Sequence, residues 1–251
     1  MIRFLRHIRQ SLLAENKFSR YLAYAFGEIV LVVLGILIAL QINTWNLHRM
    51  DREREISYLK NIRLDLQKDL ESLDYNLDFR RRKAAGMDKL LCQMNGAPID
   101  DINELTFNIV NTVWSERFQP SNTTFKEIVS SGNVNLIHND SIRTLLLEME
   151  LDYLVNTFFI EHETFDYQEY LSKPVFQSVD LEHLAPVFQG NTTAEAQGIR
   201  TEMFHSLLGN QAYKNGCYVE VWSSAAIISL YEQILTRSTT IIDLIDRDIH
   251  P

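Results

Sequence analysis

The chain has 251 residues, of which 46% are hydrophobic, with 24 Lys and Arg residues against 33 Asp and Glu residues. A chain this apolar can bury a core, which excludes wholesale disorder, and nine glycines exclude a collagen-like repeat. The two cysteines, Cys92 and Cys217, exclude a disulfide-dense scaffold. Whether they pair or remain as two buried thiols stays open, because the sequence gives no distance between them.

Positive charge is concentrated near the start of the chain. Residues 1–50 carry six Lys and Arg residues against Glu15 and Glu28, a balance of +4, and residues 51–251 carry 18 against 31, a balance of −13. Nucleic-acid binding needs a positive face on the folded domain, so the acidic body argues against that partner. A basic start is typical of a chain that contacts an anionic membrane surface.

Residues 1–20 are predicted to form a basic amphipathic segment in the cytoplasm. One side of its helical wheel is apolar and another is basic, which favours a short helix on the lipid surface. The alternative is a tail held to the membrane only by charge. The predicted membrane-surface residues are Arg3, Arg6, Arg9, Lys17, Arg20 and, beyond the following apolar stretch, Trp45.

Residues 21–40 form a continuous apolar stretch with one charged residue, Glu28. At the helical rise, 20 residues span about 30 Å, which is the thickness of the hydrocarbon core of a bilayer. We therefore predict a transmembrane helix over residues 21–45. A buried core helix and a cleaved signal peptide are the alternatives. The first rarely runs this long without a polar face, and no cleavage site of small residues follows the stretch.

The orientation of the predicted span depends on the charges that flank it. Five Lys and Arg residues lie within about 20 residues of each end, so the positive-inside rule alone does not decide. Those on the far side are interleaved with acidic residues, which favours a cytoplasmic N-terminus. We therefore expect residues 46–251 to lie on the far side of the membrane, which for a bacterial inner membrane is the periplasm.

Amphipathic helices are predicted throughout the body. Apolar residues from Leu59 to Leu77 recur at a mean step of about 3.6 residues, which predicts a helix. No Gly or Pro occurs between Gly35 and Gly86, so the membrane helix is expected to continue into the body. Further helices are predicted over residues 102–118, with Trp114 facing inward, and over residues 124–131, 139–172, 193–208 and 218–249. The last of these has an apolar face in helical register, with Ser238 as its one gap: Ile227, Tyr231, Ile234, Ile241, Ile245 and Ile249. Strand alternation is almost absent, so we predict an all-α, up-and-down bundle.

Specific residues limit three of these helices. Pro120 is expected to end the helix that begins at residue 102, and Gly132 to follow the next one as its C′ residue. Asn139 is predicted to cap the long helix that Pro174 ends. Between residues 145 and 160 of that helix, 11 of 16 residues are apolar or Tyr, too many for one face. We therefore expect it to lie in the middle of the bundle.

Glu28 lies about 10 Å inside the predicted hydrocarbon layer, where a carboxylate is costly unless it is neutral, paired or hydrated. Gly35 and Ala39 lie within about 20° of it on the helical wheel, and small residues let helices approach closely. Two interpretations stay open. A protonated Glu28 holds an oligomer together, which we favour, or Glu28 titrates in a proton path.

The sequence indicates no catalytic residue, cofactor or metal. His162 and Asp166 are spaced as one pair of metal ligands would be on a helix, but no second pair appears. Ser57 and Lys60 match Ser-x-x-Lys without its companion motifs. The basic run from Arg80 to Lys83 is expected to be a solvated helix face that pairs with Asp74 and Asp78.

Two segments resemble a large group of uncharacterised bacterial membrane proteins. The first carries Gly-Glu-Ile at residues 27–29 and Gln-Ile-Asn-x-Trp-Asn at residues 41–46. The second is TTFKEIVSSGNVNLIHNDSIRTLL at residues 123–146. The resemblance implies a membrane location and a helical body, and it implies no reaction and no functional residues.

The expected function is that of a single-span membrane scaffold or interaction protein, and not an enzyme. Its expected partners are the lipid bilayer, further copies bound through the transmembrane helix, and another membrane or periplasmic protein. One alternative is a subunit of an ion-driven or transport complex that uses Glu28. The other is a periplasmic ligand sensor, which a cytoplasmic segment of about 20 residues makes less favourable.

Overall fold

The computed structural model describes residues 18–249, and of residues 18–21, 23 and 24 it describes only the backbone. Every regular element in this range is helical and no strand occurs in it, so the predicted all-α class is confirmed. The chain divides into two compact units, Met1–Ile56 and Ser57–Pro251. The basic residues Arg3, Arg6, Arg9 and Lys17 of the predicted surface segment lie outside the described residues.

The first unit consists, in its described part, of the beginning of helix α1, Phe18–Met94. α1 is unbroken, as the lack of Gly and Pro between Gly35 and Gly86 predicts. It contains a window that is long and apolar enough to cross a membrane, by length and composition, and none of this window is buried. Its large apolar side chains between Phe26 and Ile42 are all exposed.

Three long helices form the frame of the second unit: the later part of α1, α4 (Asp140–Asp166) and α8 (Gln211–Ile249). α1 and α4 run in the same direction, because two hydrogen-bonded pairs link them in the same order. These pairs are Asp69 with Tyr153 and Arg80 with Glu163.

α8 runs antiparallel to α1, since Asp246 pairs with Arg63 and Glu220 pairs with Lys83. The predicted helical register of α8 is confirmed, although the helix begins earlier than residue 218. Its buried face includes the predicted residues Ile227, Tyr231, Ile234, Ile241 and Ile245, with Ser238 as a buried polar residue among them.

The segment that joins the end of α1 to the start of α4, called the return limb here, runs back along α1 in the opposite direction. The long segments of the second unit therefore alternate in direction, which confirms the up-and-down order. The prediction that one helix fills residues 102–118 is wrong, because α2 is Ile102–Thr112 and the next helix, α3, is Thr123–Ser130. In this limb, Asn108 lies against Gly86 and Ser121 lies against Asp69. The 13 residues from Asn108 to Ser121 therefore extend alongside 17 residues of α1, a length of about 26 Å. Thirteen helical residues would span only about 20 Å, so part of the limb must be extended.

The extended part carries one of the most buried aromatic side chains. Phe118 packs its ring against those of Tyr153 and Tyr231, and its backbone N–H donates to the hydroxyl of Tyr231 over 3.3 Å. Trp114 was expected to point inward and is instead half exposed, because the helix ends two residues before it.

Two predicted helix boundaries are confirmed. Gly132 follows α3 with a φ of 72°, and the N–H of Asn133 donates back to the carbonyl of Ile128 over 2.9 Å, which closes a Schellman turn. Asn139 caps α4 by accepting hydrogen bonds from the N–H groups of Ser141 and Ile142.

The prediction that Pro174 ends the long helix is wrong. α4 passes into a π-helix, Tyr167–Ser172, and then into α5, Lys173–Ser178. Pro174 lies in the first turn of α5, the part of a helix in which proline is best tolerated. The chain therefore continues as helix past the proline.

The segment between α5 and α8 also differs from the prediction of one helix over residues 193–208. Its helices are α6, Leu181–Phe188, and the short α7, His205–Leu208, which follows a 3₁₀ turn over Thr201–Phe204. The side chain of Asp180 caps α6 by accepting a hydrogen bond from the N–H of Glu182. This helix was not predicted, because the prolines nearby indicated an irregular segment.

Two apolar cores lie in succession along the second unit. In the first, α1 residues between Leu59 and Leu77 pack against α4 and the later half of α8. In the second, α1 residues Met87, Leu90 and Leu91 pack against α2, α6, α7 and the start of α8. On α1, therefore, the residues between Leu77 and Met87 connect two separate cores.

We expect residues 51–251 to fold without the apolar part of α1, because both cores are made of residues after position 57. The far-ultraviolet circular dichroism spectrum should be strongly helical and thermal unfolding should be cooperative. A strand-rich spectrum, or unfolding without a transition, would contradict the fold described above.

Candidate functional site

Helix α4 has two apolar faces on opposite sides. The inner face packs in the first core and continues toward the connection between the cores. The buried residues of the helix are Ile142, Leu146, Met149, Asp152, Tyr153, Asn156 and Glu163. Steps of three and four residues join nearly all of these positions, so this face alone would make an ordinary amphipathic helix.

The outer face of α4, defined here as Leu147, Leu151, Leu154 and Phe158, is exposed. The exposed fractions of these side chains are 48%, 62%, 65% and 56% in that order. Val155 and Phe165 beside this face are exposed as well. The prediction that α4 lies in the middle of the bundle is therefore wrong: the excess of apolar residues serves a second face, and no described part of the chain covers it.

The spacing of the outer face is that of a helix-pairing surface. Its four residues are separated by steps of four, three and four, the a and d positions of a heptad. Arg143 continues the face at its N-terminal end, and Glu161 continues it at the other. α4 carries no other Lys or Arg and has seven Asp and Glu residues. The face is thus apolar in the centre and bordered by charged residues, with the ion pair of Arg143 and Asp140 at one end and Glu161 at the other.

A second cluster lies buried between the two cores. Arg80 donates from both terminal nitrogens to the two carboxylate oxygens of Glu163, over 2.6 and 2.8 Å. Nζ of Lys83 lies 3.1 Å from Oε1 of Glu220, without the angles of a hydrogen bond. The guanidinium carbon of Arg80 lies 5.5 Å from the ring centre of Tyr231. All four charged side chains are at least 96% buried.

Arg80, Lys83, Glu163 and Glu220 form an ionic cluster, in which burial and neighbouring positive charges have opposing effects on the pKa values of the two carboxyl groups. Burial alone would raise the pKa of Glu163, but the hydrogen bonds and charge of Arg80 outweigh it and hold that pKa below its usual range. The pKa of Glu220 is raised, because burial and the negative charge of Glu163 outweigh the attraction of Lys83. Burial raises the pKa of the neighbouring Cys217 thiol to about 12.

The ionic cluster corrects the prediction that the basic run is a solvated helix face. Arg80 and Lys83 are buried, whereas Arg82 does pair with Asp78 on the surface, over 2.6 Å. The sequence held a signal for the buried pair, because the inward register of α1 extends through both residues. Among the buried residues of α1, those spaced at successive steps of three and four are Leu59, Ile62, Leu66, Asp69, Leu73, Asn76, Arg80, Lys83, Met87 and Leu90.

The predicted membrane-contact residues lie on one side of the exposed part of α1. Glu28, Gly35 and Ala39 follow one another at steps of seven and four residues, and Glu28 and Ala39 are exposed. A Cβ atom at Gly35 would meet nothing within 4 Å. Trp45 is exposed, and only the backbone of Arg20 is described. This face is therefore open in the single chain.

The weaker chemical candidates of the sequence gain no support. Within residues 18–249, no group of three His, Cys, Asp or Glu side chains is placed to hold a metal ion. The ring of His162 lies 4.5 Å from that of Phe158 on the surface, and Ser57 and Lys60 are exposed. Both cysteines are free thiols: Cys92 is exposed and Cys217 is buried.

Comparison with known proteins identifies a family but no activity. A family model described as a family of unknown function (DUF6090) matches residues 28–170, more than half of the chain. The predicted membership of an uncharacterised family is confirmed at that level. No curated protein and no solved structure matches the chain.

We expect Arg80→Met to destabilise residues 51–251 by about 3–5 kcal/mol, because it leaves Glu163 buried without its partner. Arg82→Met removes an exposed ion pair and should cost less than about 1 kcal/mol. Urea unfolding followed by circular dichroism measures both values. Equal effects of the two substitutions would show that the ionic cluster is not water-excluded as described.

Proposed function

We propose that this chain, which belongs to the DUF6090 family of unknown function, is a single-span membrane scaffold that forms homo-oligomers and binds other proteins through a helical body. Its N-terminus lies in the cytoplasm and its body in the periplasm of a bacterium. The observation that carries the proposal is apolar surface that no described part of the chain covers.

The exposed part of α1 supports the membrane anchor. Between Phe26 and Ile42 its large apolar side chains are exposed on every side of the helix. A helix that is apolar all round needs an apolar environment on all sides, and a bilayer supplies one. The charged residues that begin at Arg49 fit the interface at which such a span would end.

The outer face of α4 supports a role in protein interaction. Large exposed apolar patches on a folded domain mark interaction sites, and scattered single residues do not. The outer face is continuous over three turns and lies on a rigid helix whose inner face is packed. Binding therefore needs no rearrangement of the fold.

Fusions at the end of the chain test the proposed topology. A reporter that fluoresces only in the cytoplasm, joined after Pro251, should be dark, and an alkaline phosphatase fusion at the same position should be active. Bright fluorescence together with an inactive phosphatase would reverse the orientation and exclude a periplasmic body.

The predicted contact face in the membrane is tested by a matched pair of substitutions. Gly35→Leu adds bulk where helix backbones should touch, whereas Leu34→Val, about 100° round the helix, changes little. Only the first should weaken the oligomer, measured by cysteine crosslinking through position 39 in native membranes. The absence of a crosslink at positions 35 and 39, with efficient crosslinking on the opposite side, would refute this contact.

Glu28→Gln separates the two interpretations of the carboxylate. Gln still donates and accepts hydrogen bonds across a helix interface, but it exchanges no proton. An intact oligomer that keeps its cellular role assigns Glu28 to helix contact, and an intact oligomer that loses that role favours the proton path of an ion-driven complex.

A further inference from the structure

We propose that the body binds a free α-amino acid with an apolar or aromatic side chain, in a groove between the return limb and the π-helix. Such a site adds a ligand to the proposed scaffold function and is independent of the oligomer. The groove is formed by residues between positions 113 and 119, where the limb turns after α2, and by Tyr167 of the π-helix. Its volume is about 530 Å³, within the range of about 300–1,000 Å³ that is typical of small-molecule sites.

Hydrogen bonds and ring packing within the chain hold the walls of the groove in place. The ring of Trp114 packs against that of Phe188, with 5.7 Å between centroids, and its indole N–H donates to Oε1 of Glu116 over 3.1 Å. The hydroxyl of Tyr167 donates to the carbonyl of Val113 over 3.1 Å. Half of the Trp114 side chain is still exposed. A fixed, half-exposed aromatic ring offers an apolar ligand a contact at a small cost in conformational entropy.

Arg117 contributes a positive charge to the groove that no other side chain neutralises. Within residues 18–249 no carboxylate forms an ion pair with Arg117, and its Nε atom is buried without a hydrogen-bond partner. A buried donor of this kind needs an acceptor, and a guanidinium binds a carboxylate through two parallel hydrogen bonds. The groove therefore offers a place for the carboxylate of a ligand.

Glu116 contributes the opposite charge to the same groove. It precedes Arg117 in the chain, yet the two side chains do not pair with each other in the described structure. One carboxylate oxygen of Glu116 accepts from the indole of Trp114, which leaves the other for an ammonium group. Opposite charges that line one groove without pairing match a zwitterion. Its carboxylate would bind Arg117, its ammonium group would bind Glu116, and its side chain would lie on the ring of Trp114.

The net charge of the body favours a zwitterion over a simple anion. Residues 51–251 carry 18 Lys and Arg residues against 31 Asp and Glu residues. The field of so acidic a body repels an anion such as phosphate or a dicarboxylate. A free amino acid with an apolar side chain has no net charge, so it is not repelled and can still use both charged side chains of the groove.

The π-helix next to the groove also indicates a binding site. π-Helical turns are rare and are frequent at functional sites. The turn that begins at Tyr167 is accommodated by a glycine of α8, because a Cβ atom at Gly216 would lie only 2.7 Å from the Cβ atom of Tyr170. The chain thus keeps a glycine where the π-helix and α8 approach closely, at the level where Tyr167 reaches the return limb.

Isothermal titration calorimetry of the full chain in lipid nanodiscs tests the site with L-phenylalanine and two analogues that each lack one charge. L-Phenylalaninamide has no carboxylate, and N-acetyl-L-phenylalanine has no ammonium group. We expect L-phenylalanine to bind at least about tenfold more tightly than either analogue, because each analogue leaves one charged side chain of the groove without its partner.

Three variants assign the two charges and provide a control. Arg117→Met should weaken the binding of L-phenylalanine about tenfold and abolish the preference over the amide. Glu116→Gln keeps an acceptor for the indole N–H and should abolish the preference over the N-acetyl analogue. Arg200→Met, at an exposed arginine outside the groove, should leave all three affinities unchanged.

Several results would overturn this assignment. Absence of a heat of binding for all three compounds at about 10 mM would show that the groove holds no amino acid. Equal affinities for the three compounds would show a contact with the ring alone, and tight binding of the N-acetyl analogue would show a plain anion site. Unchanged affinities in a folded Arg117→Met variant would place the ligand elsewhere. Should that variant fail to fold, the three compounds compared on the unaltered chain still decide.

Discussion

The buried ion pair between Arg80 and Glu163 fixes how the long helices of the body meet. Sliding α4 by one residue would turn it by about 100° and separate the two groups, leaving charges without partners in a water-excluded layer. Breaking such a pair costs several kcal/mol, so only one register of α4 against α1 is acceptable. That register determines which residues of α4 face inward and which form its outer face.

The ionic cluster also explains why one domain contains two apolar cores. Arg80 and Lys83 on α1 and Glu220 on α8 continue the buried registers of their helices at a level where apolar residues would otherwise join the cores. Charged residues are poor partners for an apolar neighbour, so they specify one alignment of the three helices. The exposed surface of the body is therefore as well defined as its interior.

Periodicity predicted the helices well and their surroundings less well. The registers of α1 and α8 and the caps at Asn139 and Gly132 followed from local patterns, because local backbone bonds and side-chain spacing determine them. The extended backbone of the limb after α2 did not follow from local patterns, because it depends on the length of α1 that the limb must run alongside. The exposure of α4 was missed because apolar content alone does not distinguish a helix covered by its own chain from one that awaits a partner.

Two surfaces are not covered by any described part of the chain: the apolar part of α1 and the outer face of α4. A double-mutant cycle with Arg80→Met and Glu163→Met in residues 51–251, measured by urea unfolding, tests most directly whether the buried ion pair holds α4 in one register. Each single substitution leaves its partner charge buried and unpaired, so the double variant should lose clearly less stability than the sum of the two single losses. Strictly additive losses would show that the two groups act independently and would contradict the register constraint.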